Sequence, residues 1–210
     1  VYKRQGYTAF FLGVRSVCPS ATMKVIYTNS WASIDLEKEA AESLIADGCV
    51  LISQHADTTG ASTACEKAGV PIVGYNVSMI ATAPTQALTS ASIDWGPYYT
   101  YAVKSVIDGT KIDTDWCKGY DDGADKITEL NDKAIAKGTK EKVKEVEDAI
   151  KDGSLHVFDT STFTVDGKEL DSWKDDNGNE YIKDGYFHES ELHSAPAFAI
   201  NIDGIESVEK

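Results

Sequence analysis

Four short apolar runs recur between residues 24 and 90: KVIYT, CVLIS, VPIVG and QALTS. Each is followed at once by aromatic, carboxamide or small polar residues. Runs of this length bounded by turn residues read as strands. Apolar residues at helical spacing fill the gaps between the first three runs. Those strands are therefore parallel, because parallel neighbours need a crossover of helix length. Their carboxyl ends then share one edge of an α/β sheet, the edge at which such sheets bind ligands. The residues placed there are Asn29, Ser30 and Trp31 after the first run, and Gln54, His55, Asp57, Thr58, Thr59 and Gly60 after the second. Tyr75 and Asn76 follow the third run, and Trp95 follows the fourth. A flat ring among mostly neutral hydrogen-bonding groups suits a small planar polar ligand better than an anion or a metal.

The spacing predicts a helix over Tyr7–Val17, with Tyr7, Phe10, Phe11, Val14 and Val17 on its apolar stripe, and a first strand over Lys24–Thr28. Ser33 caps the next helix, whose first turn carries Asp35 and Glu37 and whose buried face is Leu36, Ala40, Ala41 and Leu44. The second strand is Cys49–Ser53. A short helix from Gly60 to Ala68 ends at Gly69, and Pro71 opens the third strand. After a fourth strand, Gln86–Ser90, Gly96-Pro97 leads into a helix closed by Gly109. Residues 110–138 read as irregular with one short strand. Thr139–Lys151 is a charged amphipathic helix with Val143, Val146 and Ile150 inward. From Leu155 on, LHVFD, FTVDG and FAINI read as short strands. The expected organisation is a ligand-binding lobe over 6–94 (β-α-β-α-β-β), a crossover helix and part of another lobe over 95–154, and strands returning across the hinge over 155–210. The later strands need a partner sheet, which an amino-terminal region outside this chain is expected to supply.

The 210 residues suffice for one sizeable core or two modest lobes. A formal net charge of -14 opposes binding to nucleic acid or to an anionic membrane surface. Four cysteines, Cys18, Cys49, Cys65 and Cys117, form no CxxC pair. Cys18 and Cys49 each precede a strand, so they either pair in an oxidising compartment or remain free thiols. The four histidines are scattered, and no metal or cofactor motif is present. Residues 1–5, VYKRQ, match what GTG TAT AAG AGA CAG, the end of a common sequencing-library adapter, encodes. Authentic sequence is therefore expected to begin near Gly6, with the gene's start and any secretion signal upstream.

GYTAFFLGVRSVCP, KVIYTNSW, QHADTTG, PIVGYN and LTSASIDWGPYYTYAVKSVIDGT follow one another in this order. Together with the ending IKDGSLHVFDTSTFTVDGKEL and DGYFHESELHSAPAFAINIDGI, they resemble the basic membrane protein (BMP) family of ABC-transporter substrate-binding lipoproteins. The resemblance runs from about Gly6 to Ile205 and covers the later portion of a family member. It implies a type I periplasmic-binding-protein-like fold of doubly wound parallel sheets, one lobe nearly complete and part of a second. It further implies an extracytoplasmic protein held to the membrane by a lipidated cysteine in the upstream segment, which delivers a purine base or nucleoside to ABC permease subunits. In the family an aromatic at the position of Trp31 stacks on the base, and a glycine-containing loop at Gly60 touches the ligand. Many nucleoside-binding members carry Asp, which holds ribose hydroxyls, where this chain has Asn76, and some carry a ribose-binding Lys where it has Ile93. Both departures favour a free base. Trp95 fits the branch that has WGPYY here, as ligand contact or hinge packing.

Other readings stay open. A ligand-sensing domain of a receptor or regulator shares the same fold. A purine-processing hydrolase is the weaker alternative. His55 and Asp57 offer an acid–base pair, but neither G-x-G-x-x-G, a P-loop nor G-x-S-x-G is present.

Overall fold

The computed structural model describes residues 4–195 and 197–208. Of the five residues expected to be foreign, Arg4 and Gln5 open the first helix, and the other three lie outside the described residues. The chain is mixed α/β and divides into two compact units. Among the described residues, one contains 23–93, 126–145 and 206–208, and the other 4–22, 94–125, 146–195 and 197–205. No helix among the described residues is long and apolar enough to cross a membrane.

The first of these units is built on a four-stranded sheet of order β2-β3-β4-β5, from β2 (Ile52–Ser53), β3 (Ile72–Tyr75), β4 (Ala87–Ile93) and β5 (Asp125–Ile127). β2 and β3 run parallel, as do β3 and β4, with Gly74 opposite Ser90 and Tyr75 opposite Ala91. The strand β1 (Met23–Val25) does not join this sheet as expected. It pairs instead with β8 (Ile205–Ser207), where Val208 N–H donates to Val25 O at 2.8 Å. Helices α2 (Ile34–Ala46) and α3 (Gly60–Ala68) pack on each other and on the sheet. Their small faces let them approach closely over a core of Ala41, Ile52, Ala61, Ala64, Cys65, Ile72, Met79, Ala83 and Ala87. The buried Cys65 thiol is pushed up to about 12 by desolvation, so it serves as a small apolar side chain.

Leu36, expected on the buried face of α2, is exposed, and the buried residue of that turn is Glu37. A carboxylate holds this position because backbone and side-chain donors surround it. Gly60 is set by packing: a Cβ there would stand 2.2 Å from the carbonyl oxygen of Ile34 and 3.0 Å from Lys38 N. Backbone cannot give way as a side-chain tip does. A Gly60→Ala variant is therefore expected to lose about 1–3 kcal/mol of stability from overpacking, read as a lower urea midpoint. An unchanged midpoint would refute the close contact.

The other unit contains α1 (Arg4–Val17), α4 (Gly96–Asp108) and, among the described residues, 146–195 and 197–205. The helix α5 (Thr139–Lys151) passes from one unit into the other, with Val143, Val146 and Ile150 half-buried. Tyr7, Thr8, Phe11 and Leu12 are the buried residues of α1, while Val17, expected on the same stripe, is exposed. On α4, Trp95, Tyr99, Val103, Val106 and Ile107 recur at helical spacing and are all exposed, an apolar stripe facing outward.

None of the later strands expected from sequence, LHVFD, FTVDG and FAINI, is an assigned strand; isolated bridges join Asp159 with Tyr186 and Val165 with Lys168, and a third joins Lys174 with Glu180. A hairpin not expected there forms from β6 (Ile182–Lys183) and β7 (Tyr186–Phe187). It closes on Asp184-Gly185, both at positive φ, as a two-residue turn matched to strand twist requires. In the FAINI run, Phe198 and Ile200 are buried with alternate residues exposed, which is strand-like alternation outside any assigned strand. Phe198 stacks on Phe158 and meets Phe187 edge-on, and Phe187 lies against Tyr181, while Phe163 is also buried.

Candidate ligand-binding site

The site begins with a buried carboxylate. Ser33 caps α2, its Oγ accepting from Leu36 N–H at 3.4 Å, and Glu37 reaches back to accept from Ser33 N–H. This reciprocal arrangement satisfies donors that a helix start leaves open. Glu37 is only 3% exposed. Its two oxygens also accept from Thr58 N–H at 3.3 and 3.2 Å, and from Gln54 Nε2 at 3.3 Å. Gln54 in turn donates to Ala56 O at 2.8 Å and to Thr58 O, and its Oε1 accepts from Ser62 Oγ. The loop after β2 is therefore clamped from below by two side chains.

Gln54 is consumed by this clamp. It is 5% exposed, and its amide is occupied by Ala56, Thr58, Glu37 and Ser62, so its function is to shape the loop. Thr58 completes the turn, its Oγ1 accepting from Gly60 N–H at 3.2 Å. Thr59 is the N-cap of α3 by position, without a side-chain bond to the helix. Gly60 is explained by its contact with α2. His55 lies beside Ser53 Oγ at 3.3 Å and beside the Tyr75 ring, centroids 6.1 Å apart.

Above the clamp three expected residues come together. Trp31 O accepts from Asp57 N–H at 2.9 Å, and Asp57 Oδ1 accepts from Asn76 Nδ2 at 3.3 Å. Loops after β2 and β3 meet at one edge, as their parallel pairing predicts, and the loop after β1, which lies outside this sheet, joins them through the bond to Trp31 O. Trp31 is 61% exposed, and Asp57 and Asn76 are exposed beside it. Asn76 sits at φ 70 in a γ-turn, with Val77 N–H donating to Tyr75 O at 2.8 Å. That strained backbone is tied down twice, by Asn76 N–H to Ala91 O and by Ser92 Oγ to Asn76 O, both at 2.7 Å. Asn29, at φ 53, shares this left-handed geometry, and Ser30 O accepts from Thr28 Oγ1. Trp95 belongs to the other unit, at the N-cap of α4, with its ring against Tyr99.

Glu37 and Ser92 are the members that sequence reasoning missed. The signal for Glu37 was present in Ser33 followed four residues later by an acid, and Ser92 follows the fourth apolar run as the other edge residues follow theirs. Arranged this way, the edge can stack a flat ring on Trp31 and hydrogen-bond its rim through Asp57 and Asn76. Among the described residues no group of three or more His, Cys, Asp or Glu side chains is placed to hold a metal ion. All four cysteines are free thiols, and Cys18 and Cys49 stand in different units.

Comparison with known proteins fits this architecture. The sequence profile of the Bmp family, described as ABC transporter substrate-binding protein PnrA-like, matches residues 2–156. A purine-binding protein of Brucella abortus is 35% identical over 165 residues, 79% of this chain and 47% of that protein. A putative ABC transporter glucose-binding protein of Haloferax volcanii is 33% identical over 163 residues, 77% of this chain and 41% of the other. The chain thus spans about half the length of the curated relatives it matches. Among solved structures, an ABC transporter solute-binding protein from Conexibacter woesei superposes with a TM-score of 0.54 at 21% identity, covering 69% of this chain and 49% of that one. A transcriptional activator of the comK gene from Bacillus halodurans superposes with a TM-score of 0.58 at 14% identity, covering 70% and 63%. These likenesses establish a periplasmic-binding-protein-like fold, and by its sequence the chain belongs to the Bmp family of PnrA-like ABC transporter substrate-binding proteins.

Proposed function

We propose that this protein is the substrate-binding component of an ABC importer, capturing a purine base or nucleoside outside the membrane and passing it to permease subunits. The observation that carries this reading is the exposed Trp31 ring tied through its own carbonyl to Asp57, which is bonded in turn to Asn76. A stacking face beside a hydrogen-bonding rim is what a flat heterocycle requires. Similarity to a purine-binding relative supports the same ligand class. The base is favoured over the nucleoside because Asn76 and Ile93 stand where ribose-binding relatives place Asp and Lys. Anchoring through a lipidated cysteine upstream belongs to the same proposal. The role is binding without chemistry, so the ligand is recovered unchanged.

The glucose-binding relative favours a second reading, since a pyranose also stacks on tryptophan. Calorimetry with adenine, guanine, hypoxanthine, their nucleosides and glucose decides between them. The expected result is purine binding, with at least one base held as tightly as its nucleoside, and no binding of glucose. Tight glucose binding without purine binding overturns the assignment. A regulator of the same fold would bind ligand and also engage a transcriptional target, which the acidic surface disfavours.

A further inference from the structure

We infer that the outward stripe of α4 is the seat of a second copy of this chain, two copies pairing helix to helix about a two-fold axis. The helix is already docked on its inward side, where Ser105 is buried and Tyr98 and Tyr101 lie against Trp116, ring centroids 5.4 and 6.3 Å apart. The opposite side carries Trp95 at the cap, then Tyr99, Val103, Val106 and Ile107, all between 55% and 76% exposed. With aromatic side chains covering about 150–250 Å² each, the stripe offers roughly 700 Å² of apolar surface along about 18 Å of helix. The largest apolar patch on an ordinary monomer covers about 300–600 Å². A standard interface takes about 800 Å² from each partner, so one stripe set against another nearly completes it.

Charge and symmetry point to a copy as the occupant. A net charge of -14 makes copies of the chain repel, so their association needs a neutral face. The two charges on α4, Lys104 and Asp108, cancel and fall outside the stripe at 3.6 residues per turn. Lipid is the poorer occupant, since a helix lying on a membrane brings several Lys or Arg on its polar face and α4 brings one. A two-fold axis at Val103 makes the stripe complementary to itself, with Tyr99 of one copy against Ile107 of the other. The two helix dipoles then run antiparallel and oppose each other. Opened by Pro97 and closed by Gly109, the helix is formed beforehand, so pairing orders little new structure.

The test is sedimentation velocity of the 210-residue chain from about 1 to 100 μM, beside a variant carrying both Val106→Lys and Ile107→Lys. Both positions are exposed, so the fold persists, and far-UV circular dichroism of the variant checks this. The two lysines lower the net negative charge, which weakens general repulsion, so any loss of pairing comes from the stripe itself. The parent is expected to pass from monomer to a closed dimer across that range, and at lower protein concentration once salt screens the repulsion. The variant is expected to need at least roughly tenfold more protein to pair. A parent that stays monomeric throughout overturns the inference and leaves the stripe to another partner, such as an upstream region of a longer polypeptide. A dimer that persists undiminished in the variant, or growth past the dimer into open assemblies, overturns it as well.

Discussion

A Glu37→Ala variant is expected to unfold at a markedly lower urea concentration than the parent, having lost about 3 kcal/mol of stability. The carboxylate is buried and accepts from Thr58 N–H, Ser33 N–H and Gln54 Nε2. Alanine removes every one of those acceptors at once, and a buried donor left without a partner costs about 1–3 kcal/mol. Water entering the vacated space recovers part of that loss, so the sum of the separate costs is not reached. Glu37→Gln sharpens the test. It keeps the volume but supplies only one acceptor oxygen and turns an NH2 group toward donors, so it should also destabilise. If both variants melt with the parent, the clamp beneath the loop carries no structural load.

Trp31→Ala is the second large effect, and it falls on binding instead of folding. The ring is mostly exposed, so its loss leaves the core intact. Stacking of a base on an aromatic ring contributes about 1–3 kcal/mol, or roughly a five- to 150-fold weaker dissociation constant. Calorimetry with the tightest purine should show that loss, while the urea midpoint stays near the parent's. Unchanged affinity would remove Trp31 from the site. A collapsed midpoint would show that the ring packs as a structural element. The two variants also separate the layers of the site, since Glu37 shapes the loop from below and Trp31 meets the ligand.

Sequence alone located this edge because its signals are local. Ser33, Gly69 and Gly109 mark helix ends through their own chemistry, and strands with helices between them must be parallel. That reasoning brings Asp57 and Asn76, which follow β2 and β3, to one edge; Trp31 reaches it from a strand outside that sheet. Local signals fail where partners are distant in sequence. β1 pairs with β8 across most of the chain, and no periodicity in either run encodes that choice. Counting apolar residues put Leu36 inside and left Glu37 outside, since a buried acid is recognised only once its donors are known. Gln54 was read as a ligand contact for the same reason. FAINI alternates as a strand does, yet alternation reports which side is buried and is silent about ladder bonds. The proximity of His55 to Asp57 in sequence suggested an acid–base pair, whereas Asp57 is bonded to Asn76 and His55 lies beside Ser53 and Tyr75.

The left-handed turn at Asn76 restricts what evolution can place there. With φ at 70, the position admits glycine, and among residues bearing side chains chiefly asparagine and aspartate. Its chemistry is then most readily blank, a neutral amide or an anion, and a branched apolar group there is strained. An exchange between Asp and Asn at this place is thus one the backbone permits. A lineage changing its ligand can toggle charge here in one step, with the loop geometry kept, and must seek any other kind of change at neighbouring strands.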